Sequence, residues 1–135
     1  MNNFQVADLL HFEKYFFTDT GTCARHFALV LLPSSVMNYE SNLLCSVVTS
    51  KKVQYYFLKL EKNKYPCFSK DSYACFQRRD LEDINDLTKI KQPIGRLDKL
   101  DIKKSFRIIK AVYYGTQDVY QMATVIREWK KIIPA

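Results

Sequence analysis

Phe27-Ala28-Leu29-Val30-Leu31-Leu32 is an unbroken apolar run that ends at Pro33. It is too short for a core helix and far short of the roughly 20 residues that would span a bilayer, so it reads as a strand buried on both faces, preceded by Arg25-His26. A chain built around such a strand needs apolar cover on two sides. Hydrophobic residues make up 47% of the 135 and charged residues 26%, which supplies that cover and excludes a disordered or fibrous chain. At this length the expectation is a single domain over 1–135, with a sheet core over about 12–92 and helices over about 98–114 and 117–133.

Other segments repeat the strand texture. Phe12 to Phe17 is aromatic and β-like, and Thr18 to Thr22 reads as a turn. Ser34 to Asn42 is a polar connection; Leu43 to Val48 is a second buried strand, Val53 to Leu60 alternates as a third, and Tyr73 to Gln77 is a fourth. Short strands at this spacing without intervening helices predict an antiparallel sheet curling into a small barrel, within an α+β fold. Asn3 is placed to cap a short opening helix, with Phe4, Ala7 and Leu10 at helical spacing. After a loop holding Pro93 and Gly95, Asp98 is an N-cap with Asp101 three residues on, and Ile102, Phe106, Ile109 and Tyr113 follow at 4, 3, 4 spacing to a stop at Gly115. A last helix from about Gln117 to Ile133, capped by Thr116, carries Val119, Met122, Ile126, Trp129 and Ile133 on one stripe. That stripe either docks onto the chain's own sheet or serves a partner; docking is the expectation.

Charge is uneven. Residues 1–48 hold two basic and four acidic side chains, a net of −2; residues 49–110 hold sixteen and eight, +8; residues 111–135 hold three and two, +1. A cationic middle favours an anionic partner, nucleic acid before an anionic membrane surface, against the plainer reading of a lysine-rich solvated face. No membrane span and no basic-then-apolar leader is evident, so a cytoplasmic protein is expected. Cys23, Cys45, Cys67 and Cys75 form no CxxC pair, and His11 and His26 are the only histidines. Reduced thiols, no metal and no cofactor are therefore expected.

Nucleotide-binding, zinc-protease and serine-hydrolase motifs are missing from the chain. What remains is polar residues at strand ends. Arg25 and His26 open one buried strand while Thr49, Ser50, Lys51 and Lys52 close another, so antiparallel pairing would bring both groups to one rim. Cations, hydroxyls and one imidazole suit metal-free RNA cleavage, in which the ribose 2′-hydroxyl attacks its own phosphate and charge on the phosphorane must be stabilised. The same residues also read as surface charges and a satisfied strand histidine.

The order of the pieces adds to this. Gly21; Arg25 to Pro33 with Asn38; Val47-Val48-Thr49-Ser50-Lys51; Asp71-Ser72; Cys75-Phe76-Gln77; and Ile94-Gly95-Arg96-Leu97-Asp98 together resemble the MazF/PemK-like toxin family of toxin–antitoxin systems, over about residues 12–115. The resemblance implies a small SH3-like antiparallel barrel with appended N- and C-terminal helices. It also implies a metal-independent endoribonuclease that leaves cyclic-phosphate and 5′-hydroxyl ends on single-stranded RNA. Carried over, Thr49 and either Arg25 or His26 take the catalytic roles; the expectation that goes with them has Ser50 and Lys51 holding phosphate and Lys52, Gln77, Arg78 and Arg79 following the RNA path. Arg78-Arg79 also reads as an exposed basic pair. Tyr55 and Tyr56 either stack on bases or pack. Two departures stand out: Phe76 occupies the family's Asp position in Cys-Asp-Gln, and no acidic residue lies between Gly21 and Arg25. The expected partners are RNA and a cognate antitoxin, which is a protein or, as in a related branch with Thr-Ser followed by Lys, a small RNA. A homodimer across a barrel face is a further expectation, and the alternative function is a catalytically silent barrel that binds nucleic acid or a protein.

Overall fold

The structure is a computed structural model describing residues 4–17, 22–33, 42–83, 93–113 and 119–133; for 13–17, 22–26, 42–43, 78–83, 113 and 119–122 the backbone course alone is described. The turn at 18–21, the connection at 34–41, the caps Asn3 and Thr116 and the stop at Gly115 lie outside these residues.

A curled antiparallel sheet of six strands carries two helices. In chain order the strands are β1 (Asp8–Phe17), β2 (Thr22–Leu32), β3 (Asn42–Thr49), β4 (Phe57–Leu60), β5 (Ser72–Asp83) and β6 (Gly95–Arg96), followed by α1 (Lys99–Tyr113) and α2 (Val119–Ile132). Across the sheet the order is β4-β5-β3-β2-β1-β6.

The apolar run behaves as its composition requires: residues 28 to 32 in β2 are all buried, and they divide between two clusters. Leu29 and Leu31 join Leu9, Val48, Leu58, Phe76, Ile102, Ile109 and Trp129 in the main core, which the helices cover. Ala28 and Val30 join Phe4, Leu10, Phe12 and Cys45 in a smaller cluster. Side chains alternate across a strand, so a strand apolar at every position must be covered on both faces.

Four segments depart from the sequence reading. There is no opening helix over residues 4–10: the Asp8 carboxylate accepts from the Gln5 amide at 2.8 Å and the Asp8 amide donates to the Gln5 carbonyl at 3.1 Å, closing a turn from which β1 starts. Ala7 sits there at φ 74°, a conformation a helix excludes. The third strand begins at Phe57 rather than Val53, because Tyr56 at φ 52° breaks the extended run. β5 continues six residues past Gln77 to Asp83, with a register shift opposite Ser46 and Val47. Gly95-Arg96, expected in a loop, pairs with Leu9 and Asp8 as β6.

Two helices are present where the sequence leads one to expect them, though the side chains of Tyr113, Val119 and Met122 on the expected stripes lie outside the description. The Asp98 carboxylate accepts from the Asp101 amide at 2.8 Å, and the Asp98 carbonyl takes the first helical bond from the Ile102 amide at 2.9 Å, so Asp98 is the N-cap of α1. Trp129 is fully buried and its indole N–H donates to the Leu31 carbonyl at 3.1 Å, docking α2 onto β2. Among the described residues no helix is long and apolar enough to cross a membrane.

Candidate functional site

The register decides which strand ends meet. The β2–β3 ladder ends at the pair Phe27–Val48, so His26 and Thr49 each lie one residue beyond that pair, and Arg25 and Ser50 two. On its other side Thr49 pairs with Tyr73 of β5, which pairs in turn with Lys59 of β4. The start of β2, the end of β3, the start of β5 and the end of β4 therefore form one continuous rim. Strands lie about 4.8 Å apart, which puts Thr49 and Lys59 roughly 10 Å from each other across Tyr73. The side chains of Arg25 and His26 lie outside the description.

Thr49 is half-buried, and its hydroxyl oxygen accepts from the Lys51 amide at 3.1 Å. A hydroxyl that accepts there still has its own hydrogen to donate, and the short turn fixes where the oxygen sits. Ser50, Lys51 and Lys52 follow as exposed residues. Lys59, also exposed, has one described acidic neighbour, Asp71, at 3.9 Å. The rim thus offers a positioned hydroxyl between cations that reach into solvent, an arrangement able to bind a phosphate and stabilise added charge on its oxygens.

The other residues singled out in the sequence sit elsewhere. Gln77 is exposed on β5, several residues up-strand of the rim. Arg79 is level with Ser46, three residues from Thr49 and so about 10 Å along the strand; Arg78 precedes it, and the side chains of both are outside the description. Phe76 is fully buried in the main core, and its amide donates to the Tyr56 carbonyl at 3.1 Å. That bond ties the Tyr55-Tyr56 turn beside Gln77. Tyr55 is 62% and Tyr56 44% exposed.

Two of the motif pieces have structural employment. Asp71 accepts from the Lys62 amide at 2.9 Å, and the buried Ser72 hydroxyl donates to the Lys70 carbonyl at 3.1 Å, shaping the turn before β5. Arg96 donates to the Val6 carbonyl at 2.8 Å and meets the Asp8 carboxylate at 3.3 Å, clamping the N-terminal turn to β6. Lys59 and Tyr73 were not singled out in the sequence, because cross-strand register alone makes them neighbours of Thr49.

A compact ion cluster closes the base of α1. The Tyr65 hydroxyl donates to the Asp101 carboxylate and accepts from the Asp98 amide at 3.1 Å, while Lys64 pairs with both Asp98 and Asp101. Burial, then the bond to Asp101, pushes the Tyr65 phenol above its ordinary range. The hydrogen bond to Asp98 raises Lys64 in spite of some desolvation. Burial pulls Asp98 upward, but the Lys64 bond and backbone amides outweigh it and hold the carboxyl below its usual value. Among the described residues Cys45, Cys67 and Cys75 form no disulfide. No protein-family model and no curated protein sequence matches the chain.

Proposed function

We propose that the protein is a cytoplasmic toxin of a toxin–antitoxin system: a metal-independent endoribonuclease on an SH3-like barrel, which cuts single-stranded RNA by 2′-hydroxyl attack. One observation carries this reading, namely the register that makes the Arg25-His26 segment of β2 and the Thr49-Ser50-Lys51 end of β3 neighbours on one rim. In it, the Thr49 hydroxyl donates to a non-bridging phosphate oxygen, Arg25 or His26 completes the charge stabilisation, and Ser50, Lys51 and Lys52 grip the phosphate. Tyr55, Tyr56 and Gln77 receive bases further along, with Arg78 and Arg79 beside them. A cognate antitoxin, protein or small RNA, would silence the enzyme by covering the same cationic rim.

The burial of Phe76 favours a second reading. Where the family carries an acidic residue, this chain has spent the position on its core, as a barrel that binds without cutting would do. Incubating the purified protein with a mixed long RNA in EDTA and mapping the fragment ends separates the two. Cyclic-phosphate and 5′-hydroxyl ends support the enzyme. Intact RNA that shifts in a gel supports the binding module, and RNA neither cut nor bound refutes both for RNA.

A further inference from the structure

A groove of about 430 Å³ lies between β4, the edge strand of the sheet, and α1. Its floor is apolar, from Phe57, Leu58 and Ile108, and its walls carry Lys59, Lys64, Lys104 and Arg107. Asp101 also reaches the groove, but its charge is engaged by the Tyr65 hydroxyl and by Lys64 at 3.0 Å. Lys104 and Arg107 differ from these: both are exposed, one helical turn apart, and neither has an acidic partner among the described residues. Neither lies in the core. Glu61 is the remaining carboxylate of the lining, so the groove is cationic on balance.

Lys59 belongs to this groove and also to the rim row that runs through Tyr73 to Thr49. The two cationic surfaces are therefore continuous, and a strand lying across the row from Thr49 to Lys59 arrives at Lys104 and Arg107. The edge of β4 adds donors. The Tyr56 carbonyl faces β5, so by alternation Leu58 and Leu60 also turn their backbone groups to β5, while Phe57 and Lys59 turn theirs to the groove side. Two outward residues are too few to anchor an added peptide strand well, but an amide N–H is an ordinary phosphate ligand.

We infer that this groove is a second phosphate-binding station, in which Lys104 and Arg107 hold the backbone of single-stranded RNA a few nucleotides from the phosphate at Thr49, with a base on the apolar floor. The inference rests on the ribonuclease reading and extends it from a cleavage point to a directed path.

The test is fluorescence anisotropy with 2′-O-methylated RNA, which binds but cannot be cut, in a short form of about 4 nucleotides and a long form of about 12. The proteins are wild type, Lys104→Glu with Arg107→Glu, and Lys103→Glu, which makes a like change at an exposed α1 position outside the groove. The double variant should bind the long RNA on the order of tenfold more weakly, lower the slope of log affinity against log salt by about 1.4 for two lost contacts, and bind the short RNA unchanged. Lys103→Glu should match wild type on both. Glutamine at both positions provides a milder variant if the double glutamate fails to fold. Equal losses on both lengths, or none, overturn the inference while leaving the ribonuclease reading intact wherever wild type still cuts unmodified RNA. Wild type that binds neither RNA but binds poly-glutamate, with loss in the double variant, overturns both and assigns the groove to an acidic protein segment.

Discussion

Replacing Trp129 by Phe isolates one bond that fastens α2 to the sheet. Leu31 lies at the register shift of β2 between the pairs Val30–Cys45 and Leu32–Leu44, so its carbonyl falls out of step with the ladder to β3 and receives the indole N–H instead. Phe keeps most of the apolar burial but cannot donate. The lost ring contributes about 1 kcal/mol of burial, and a carbonyl left unsatisfied in the interior costs about 1–3 kcal/mol. The sum is about 2–4 kcal/mol, or a fall in melting temperature on the order of 10 °C for a domain of this size. Trp129 is the only tryptophan, so urea unfolding has to be followed by far-ultraviolet circular dichroism rather than by fluorescence. A loss of about 1 kcal/mol or less, no more than the ring burial alone, would show that the Leu31 carbonyl finds another partner and that the bulge does not depend on the indole.

Two more predictions concern α1. Asn caps a helix as well as Asp does, so Asp98→Asn keeps the bond to the Asp101 amide and removes only the charge that faces Lys64. Because the folded carboxyl lies below its ordinary value of 3.8, the wild-type advantage is present at neutral pH and is lost as pH falls through the folded value. For a carboxyl this exposed it should be about 0.5 kcal/mol in urea melts at pH 7 and vanish near pH 2; a gap that persists in acid would contradict the ion-pair account. Ser105→Ala should raise stability by about 0.5–1 kcal/mol, since the buried Ser105 hydroxyl has no hydrogen-bond partner among the described residues and Ala is the better helix former. A clear loss in the same melts would mean that the hydroxyl is bonded after all.

What the sequence made legible follows from how local each signal is. The β2 run and the β3 segment were readable because a continuous apolar stretch before a proline, or between polar connections, has few other uses. α1 was readable because a cap residue and a 4, 3, 4 stripe agree within one segment. The opening helix was misread because Phe4, Ala7 and Leu10 fit helical spacing while Leu9, Leu10 and Phe12 fit a strand covered on both faces; the Asp8–Gln5 turn and the distant Arg96 clamp decide for the strand. β5 was cut short because Arg78-Arg79-Asp80 looks like a strand end. β6 was invisible because its partners on β1 are 86 and 88 residues away and its two residues carry no pattern. At the site, the strand ends at 25–26 and 49–52 could be listed from the sequence, but the row from Thr49 through Tyr73 to Lys59 exists only through register.

The Thr49 hydroxyl is the group on which RNA cleavage should depend most directly. Single-turnover cleavage of a labelled RNA in EDTA should be compared for wild type, Thr49→Ser and Thr49→Ala, with binding of the 2′-O-methylated RNA measured beside it. Serine should keep most of the rate, while alanine should lose about 10²–10³-fold, the usual cost of removing one donor from developing charge, with RNA affinity nearly unchanged. Alanine that cuts as fast as wild type, or wild type that cuts nothing, would contradict that dependence.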